Sequence, residues 1–278
     1  MGPTRRQFIL AGAATALLAA CGSDEAAVKY QIASRMPNSP LLVPGESRIA
    51  ISLIQDQTLV ASGPSTLKAE IVDADGKRVT TATAEQHNTG IPQAYWPFRF
   101  SVGTSGIYRL KISGTDPQTG DFGVYDFSQV AMPHIGATLA PFDTPTVDDH
   151  RGVEPYCSLT PNPCPLHDVT LTEALSSGKP LVFMVGTPAH CQTGACAPAL
   201  EFLVNGHQRV GDAAVMVHAD VYADNAGTEY APIVTSLGLD YEPVVYFANP
   251  GGQIVDRLDG IWDQAELDER LNTFLGSR

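Results

Sequence analysis

The chain contains the stretch Phe183-Met-Val-Gly-Thr-Pro-Ala-His-Cys191-Gln-Thr-Gly-Ala-Cys196-Ala-Pro198, in which two cysteines follow an apolar run. Leu181 to Val185 is continuously apolar and predicts a buried strand, and Ala199 to Val204 predicts a helix. A thiol at the start of a helix faces unpaired backbone N–H groups and the positive end of the helix dipole, and both stabilise the thiolate. A second cysteine nearby can then resolve a mixed disulfide. The Cys191/Cys196 pair therefore predicts thiol–disulfide exchange.

The first 21 residues indicate export. Arg5 and Arg6 precede an uncharged stretch from Phe8 to Ala20 that is too short to span a membrane as a helix. This pattern resembles a twin-arginine signal, and Leu18-Ala-Ala-Cys21 resembles a lipobox, so we expect a signal peptide at 1–20, lipidation of Cys21 and a tether at 21–30. The alternative is an ordinary cleaved signal with an incidental cysteine. The mature protein is expected on the extracytoplasmic face of the cell membrane, attached through the lipid alone.

The net charge and the length of the chain indicate which partners and how many domains to expect. The net charge is −13 at pH 7, and removal of residues 1–20 takes away two arginines and no acidic residue, which makes it −15. A chain this acidic repels phosphate backbones, so nucleic acid is not an expected partner. The remaining 258 residues exceed the usual size of one domain, which predicts two.

Residues 31–132 have the pattern of an all-β domain. Apolar and polar residues alternate in Arg48 to Ile54, Thr66 to Val72 and Ile107 to Ile112, with glycine- and proline-rich turns between the runs. Several short strands at such spacing predict a β-sandwich. Gly106-Ile-Tyr108 resembles the tyrosine corner of immunoglobulin-like sandwiches, so the expected architecture is immunoglobulin-like.

Residues 133–165 are rich in proline and predict a semi-rigid linker. The linker contains Cys157 and Cys164 in Pro155-Tyr-Cys157-Ser-Leu-Thr-Pro-Asn-Pro-Cys164-Pro165. Prolines in and beside so short a loop favour a structural disulfide between the two cysteines over a redox switch. A second interpretation is that this pair exchanges electrons with Cys191 and Cys196.

Residues 166–278 alternate helix-like and strand-like segments, which predicts a parallel or mixed sheet covered on both faces. The order of strand, cysteine loop and helix, Tyr241-Glu-Pro243-Val at the start of a later strand, and the hairpin at Asn249-Pro-Gly-Gly252 resemble a thioredoxin-superfamily domain. The expected fold class is thus two domains, an all-β immunoglobulin-like sandwich followed by an α/β thioredoxin-like fold. In the terminal segment, Asp263 is predicted to cap a helix, with Glu266 completing a capping box.

The resemblance assigns roles to particular residues. It implies that Cys191 is the attacking thiol, that Cys196 is the resolving thiol, and that Pro243, after a cis bond from Glu242, supports a substrate peptide. His190 replaces the tryptophan that usually precedes the first cysteine, and a histidine there would lower the pKa of the thiol. The sequence also departs from the family: four residues instead of two separate the cysteines, and Val185 stands where many thioredoxins bury a carboxylic acid.

Several functions remain open from the sequence. The first is an oxidoreductase without a cofactor, acting on extracytoplasmic protein thiols or disulfides. The second is a non-catalytic surface scaffold in which Cys191 and Cys196 form a structural disulfide. A metal site would use the cysteine pair with His190, His207 or His218, although His218 ends a buried strand pattern and is expected to be a core histidine. The copper-chaperone branch of the same fold has a histidine shortly before the cis-proline, and Asn225 to Glu242 contains none, so no metal is predicted. A peroxidase would use Thr187, four residues before Cys191.

Overall fold

The computed structural model describes residues 30–116, 119–191 and 194–276 of the 278-residue chain. The predicted signal peptide, the lipidation site at Cys21 and nearly all of the predicted tether lie outside the described residues. Within the described part, no helix combines the length and the apolar character that crossing a membrane requires. The described residues form several β-sheets and a smaller number of helices.

The N-terminal part is all-β, as its alternating pattern predicts. One sheet pairs β2 with β1, β3 and β6, and the other has the order β5-β4-β7-β8. Every pairing in both sheets is antiparallel. The strands are β1 (Gln31–Ser34), β2 (Gly45–Gln55), β3 (Thr58–Leu59), β4 (Thr66–Asp73), β5 (Arg78–Glu85), β6 (Trp96–Val102), β7 (Gly106–Ile112) and β8 (Thr119–Val124).

Side chains from both sheets form one apolar core, because successive residues of a strand point to opposite faces. Trp96, Phe98 and Leu53 are fully buried in this core. The Tyr108 hydroxyl donates a hydrogen bond to the Thr104 carbonyl, four residues upstream, at 2.8 Å. This is the contact that the tyrosine-corner pattern predicts. The N-terminal part is therefore a sandwich of two antiparallel sheets.

The C-terminal part contains a mixed four-stranded sheet with the order β10-β9-β11-β12. Its strands are β9 (Leu181–Val185), β10 (Val215–Ala219), β11 (Val244–Ala248) and β12 (Ile254–Asp259). β9 and β10 are parallel, whereas β11 is antiparallel to both β9 and β12. As a result, the carboxyl ends of β9 and β10 and the start of β11 lie at the same edge of the sheet.

Helices cover both faces of this sheet. They are α1 (Leu171–Ser176), α2 (Cys196–Val210), α3 (Pro232–Ser236) and α4 (Gln264–Gly276). One face, with Phe183 and Tyr246, packs against α1 and α3, and the other, with Met184 and Phe247, packs against α2 and α4. Burial on both sides explains why the strands are continuously apolar in the sequence.

The proline-rich segment 133–165 packs against the C-terminal sheet over much of its length. Leu139 and Val153 are buried with α1 and α3 on one face, and Cys157 and Cys164 are buried with α2 and α4 on the other. The segment therefore contributes side chains to both apolar clusters.

A buried ion pair joins the sandwich to the C-terminal part. Arg48, on β2, donates from Nε and Nη2 to the two carboxylate oxygens of Glu266, on α4, both at 2.7 Å. Both side chains are almost completely buried. The remaining Arg48 donors reach the carbonyls of Asp259 and Ile261. Burial alone would raise the pKa of Glu266, but Arg48 outweighs it and holds that pKa below its ordinary value.

The contacts of Glu266 correct the predicted capping box. Asp263 does cap α4, since its Oδ1 accepts a hydrogen bond from the Glu266 backbone N–H at 2.7 Å. The Glu266 side chain, however, does not return to the Asp263 backbone, whose N–H donates instead to the Tyr95 hydroxyl at 2.9 Å. Glu266 is turned into the interface because the guanidinium and the Tyr95 hydroxyl, which donates to Glu266 at 2.6 Å, satisfy its charge there.

We expect Arg48→Ala to destabilise the protein by about 3–5 kcal/mol, because it removes the guanidinium that holds both oxygens of the buried Glu266 carboxylate. Denaturant unfolding measures this loss. The control is Arg78→Ala, which removes the exposed pair between Arg78 and Glu70 and should cost about 0–1 kcal/mol. Equal losses in the two variants would contradict this account of the interface.

Candidate functional site

The two cysteines that follow β9 form a disulfide. Cys191 and Cys196 are joined with their Cα atoms 5.9 Å apart, inside the usual range for a disulfide of about 4.4–6.8 Å. A regular helix would separate residues five apart by about 7.5 Å along its axis. The chain avoids this because Gly194 adopts a positive φ of 67° and α2 begins only at Cys196. Gly194 thus provides a non-helical turn between the two cysteines. The neighbouring Thr193 lies outside the described residues.

The two sulfurs have different surroundings. Cys196, the first residue of α2, is fully buried, whereas Cys191, in the loop before α2, is half-buried. The backbone N–H of Cys196, the first residue of the helix, donates to Cys191 Sγ at 3.2 Å. A donor of this kind, at a helix N-terminus, stabilises a thiolate on Cys191 once the disulfide is reduced. This asymmetry suits Cys191 to attack and Cys196 to resolve.

Pro243 lies beside the loop that leads to the cysteines. The Glu242–Pro243 peptide bond is cis and precedes β11, which pairs with β9. A Cβ added at Gly186 would lie 3.2 Å from the Pro243 Cβ, so only a glycine permits this close approach. The structure thus brings Pro243 and Glu242 to the start of the cysteine loop.

A cleft of about 420 Å³ opens at this edge of the sheet. Its lining includes Cys191, two acidic residues and a group of aromatic side chains. These are Cys191, Asp240, Glu242, His190, Tyr222, Tyr230 and Tyr241. Tyr222 and Tyr230 stack with ring centroids 5.5 Å apart, and Tyr230 is largely exposed. The cleft offers a half-apolar surface directly beside the disulfide.

Glu242 is the titratable group that distinguishes this cleft. Burial, and to a smaller extent the nearby Asp220 carboxylate, raise its pKa to about 7 against the opposing effects of a hydrogen bond from the Thr187 backbone N–H and of His218. A carboxyl group with this pKa is partly protonated at neutral pH and can both give and accept a proton. Glu242 is therefore a half-buried acid on the wall of the cleft, whereas position 185 on β9 is a valine.

His190 lines the same cleft with its ring held against two neighbours. The ring meets Tyr222 edge-on at 5.3 Å between centroids. A Cβ added at Gly227 would lie 2.8 Å from His190 Nδ1, so the ring covers that glycine closely. This packing fixes the imidazole on the wall of the cleft beside Cys191.

The predicted disulfide between Cys157 and Cys164 is absent. Both cysteines are free and buried, and the Cys164 backbone N–H donates to Cys157 Sγ at 3.3 Å. The reason is that the loop turns both sulfurs towards the ring of His218, at 3.8 Å and 3.6 Å from Nδ1. A hydrogen bond from the Cys164 thiol lowers the pKa of the Cys157 thiol.

A fourth side chain, His167, completes this cluster, which we call the Cys157/His218 cluster. The ligand atoms of Cys157, Cys164, His167 and His218 all lie within 4.8 Å of one another, and all four residues are buried. His218 is buried, as its core pattern predicts, and the cysteines it faces are Cys157 and Cys164, not the Cys191/Cys196 pair of the metal alternative. His167 is not among the residues predicted from the sequence, although the spacing Cys157-x6-Cys164-x2-His167 is a signal for it.

Short contacts connect the cluster to the cysteine loop. Ser158, next to Cys157, has its hydroxyl 3.2 Å from the Thr187 hydroxyl and accepts a hydrogen bond from the Ala189 N–H. Asp220, directly after β10, is buried and accepts a hydrogen bond from the Ser158 N–H at 2.8 Å. The turn that contains Cys157 therefore supports the loop that leads to Cys191.

Comparisons with known proteins provide no family for this chain. No family profile and no curated protein matches it. Among solved structures, it is similar to trypsin-activated alpha-2-macroglobulin from Escherichia coli, with 19% identity and a TM-score of 0.27. The match covers 43% of this chain and 8% of that one. A similarity with so low a TM-score says nothing about the function of this chain.

We expect a small alkylating reagent, applied after mild reduction of the folded protein, to modify Cys191 at least tenfold faster than Cys196. The reason is that Cys191 is half-buried and Cys196 is fully buried, and that the Cys196 backbone N–H stabilises a thiolate on Cys191. Peptide mass spectrometry at successive times measures the two rates. Cys157 and Cys164 serve as buried internal controls that react only on unfolding. Equal rates at Cys191 and Cys196 would contradict the assignment of the attacking thiol.

Proposed function

We propose that the chain is a thiol–disulfide oxidoreductase that acts on protein thiols or disulfides through Cys191 and Cys196. The observation that carries the proposal is one disulfide between a half-buried cysteine, Cys191, and a fully buried one, Cys196, at the start of α2 and on the wall of a cleft. Glu242 lines the same cleft, and Pro243, joined to it by a cis bond, leads into the neighbouring strand. The proposal includes the finer fold assignment of a thioredoxin-like C-terminal domain and an immunoglobulin-like sandwich.

The topology of the C-terminal sheet supports that fold assignment. A parallel pair, β9 and β10, is followed by an antiparallel hairpin, β11 and β12, with helices on both faces. The cysteine pair lies between β9 and α2, and the cis Glu242–Pro243 bond precedes β11. These are the positions that the resemblance assigns to the reactive cysteines and the substrate platform.

The reaction proceeds in two exchanges. In the reducing direction, the Cys191 thiolate attacks one sulfur of a substrate disulfide, forms a mixed disulfide and releases the other substrate sulfur as a thiolate. Cys196, deprotonated, then attacks Cys191 Sγ, which closes the protein disulfide and releases the second substrate thiolate. Two electrons pass to the substrate, and two protons restore its thiols. The oxidising direction is the reverse, starting from the disulfide seen here.

Protein groups at the cleft assist each exchange. The Cys196 N–H stabilises the charge on Cys191 Sγ. Glu242 borders Cys191 in the cleft, and its pKa of about 7 allows it to transfer a proton near neutral pH. The stacked Tyr222 and Tyr230 offer apolar contact to a bound polypeptide. No cofactor is needed, because the cysteines themselves carry the electrons.

The cellular setting of the proposal rests on the sequence alone. The arginine pair and the Leu18-Ala-Ala-Cys21 motif support an exported, lipid-anchored protein on the extracytoplasmic face of the membrane. An oxidising compartment allows a disulfide such as Cys191–Cys196 to persist between turnovers. The strongly negative charge supports protein partners over nucleic acid.

We expect Cys196→Ser to accumulate a mixed disulfide with a disulfide-bonded protein substrate, because the attacking thiol remains and the resolving thiol is lost. Acid quenching and non-reducing electrophoresis measure the adduct, which reductant should release. Cys191→Ser is the matched variant and should give at least tenfold less adduct. Equal adduct from the two variants, or none from either, would sink the proposed mechanism and leave a non-catalytic scaffold as the better account.

We expect Glu242→Gln to lower the pH at which Cys191 alkylation is half-maximal by about one unit. Above its pKa of about 7, the Glu242 carboxylate repels a thiolate on Cys191. The neutral glutamine removes this repulsion and can still accept the Thr187 N–H. The pH dependence of the alkylation rate measures the shift, with Glu201→Gln as a control for the same charge change at an exposed position on α2. An unshifted Glu242→Gln profile would remove Glu242 from the mechanism.

A further inference from the structure

The Cys157/His218 cluster presents four strong metal ligands to one point. Two are sulfurs and two are imidazole nitrogens, which is the ligand set of many structural zinc sites. The four ligands come from two places in the chain. Cys157, Cys164 and His167 lie within eleven residues of the segment before α1, and His218 is the fourth residue of β10. The cluster is buried in the fold, so any ligand it binds is enclosed by protein.

The second nitrogen of each imidazole is held by a backbone carbonyl. His218 Nε2 lies 2.9 Å from the Gly186 carbonyl, and His167 Nδ1 lies 3.4 Å from the Pro145 carbonyl. A carbonyl can only accept, so these outer nitrogens carry the protons. In the neutral imidazoles the inner nitrogens, His218 Nδ1 and His167 Nε2, then present their lone pairs to one another at 3.1 Å. A shared cation, either a proton or a metal ion that the sulfurs also bind, removes the repulsion between them.

The distances within the cluster match a tetrahedral site. Usual zinc–nitrogen and zinc–sulfur bonds of about 2.0–2.1 Å and 2.3 Å place ligand atoms about 3.3 Å apart for two nitrogens and about 3.6 Å for nitrogen and sulfur. The observed nitrogen–nitrogen distance is 3.1 Å, and the two nitrogen–sulfur distances at His218 are 3.6 Å and 3.8 Å. These three distances thus lie close to the tetrahedral values, and all four ligand atoms lie within 4.8 Å of one another.

We propose that Cys157, Cys164, His167 and His218 bind one zinc ion in a closed, structural site. Two thiolates balance the charge of the ion, and four protein ligands leave no position for water or substrate. The Gly186 and Pro145 carbonyls, and the Cys164 N–H on Cys157 Sγ, are the outer hydrogen bonds that orient such ligands. The inference is independent of the proposed exchange at Cys191 and Cys196.

The ion would hold the loop before Cys191 in place. Ser158 and Gly186 are the contact points, because Ser158 bonds to Thr187 and Ala189, and Gly186 accepts from His218. Zinc bound at Cys157 and His218 would therefore fix both contact points of the loop, Ser158 and the Gly186 carbonyl. We expect the backbone amides of Gly186, Thr187 and Ala189 to exchange with solvent more slowly in the zinc-loaded protein than in the metal-free protein.

The test is zinc binding to the full-length protein, reduced and stripped of metal with a chelator. Titration against a chromogenic chelator should show one equivalent bound with a Kd of about 10 nM or tighter. Cys164→Ser and His167→Gln should each weaken binding at least 100-fold. The Cys191→Ser/Cys196→Ser double variant should still bind one equivalent, so failure of the exchange mechanism and failure of the zinc site are distinguishable.

Cobalt substitution tests the site without depending on those variants' folding. In the Cys191→Ser/Cys196→Ser variant, Co²⁺ should give intense tetrahedral bands in the visible and a thiolate charge-transfer band in the near ultraviolet. Loss of these bands in the double variant would place the metal at Cys191/Cys196 and overturn the proposal. So would a Cys157–Cys164 disulfide in the native, unreduced protein with less than about 0.1 equivalent of zinc, or one equivalent of copper in its place.

Discussion

The position of β9 between β10 and β11 is the constraint on which both cysteine sites depend. Parallel pairing with β10 brings His218 level with the end of β9, and antiparallel pairing with β11 brings Glu242 and Pro243 there from the other side. The loop that leaves β9 must therefore pass between a histidine that faces Cys157 and a carboxylic acid that faces the cleft. A shift of register in either pairing would move one of these groups away from the loop.

The two cysteine pairs have opposite environments, and this explains their different chemistry. Cys191 is half-exposed and lies against a helix N-terminus, which favours a reactive thiolate. Cys157 and Cys164 are buried and converge on two imidazoles, which favours a bound metal ion. A buried ion pair, Arg48 with Glu266, holds the sandwich against the same domain.

Local patterns in the sequence predict much of the fold. The alternating runs become the strands of the sandwich, the apolar runs become the buried strands β9 to β12, and Gly194 permits the turn between Cys191 and Cys196. Contacts between distant residues were not predictable in this way. Glu266 fits a capping box until Arg48 competes for it across the interface. Cys157 and Cys164 suggest a disulfide until His218, from another strand, is placed beside them. Glu242 becomes the acid of the cleft only because folding buries it.

The reduction potential of the Cys191–Cys196 pair tests the central claim most directly. Equilibration of the full-length protein in graded glutathione buffers, followed by alkylation and mass spectrometry, measures it for this pair alone. Exchange proteins have potentials between roughly −270 and −120 mV, and the account predicts a value in that range. A disulfide that resists reduction below about −300 mV would contradict it and would mark the pair as a structural link.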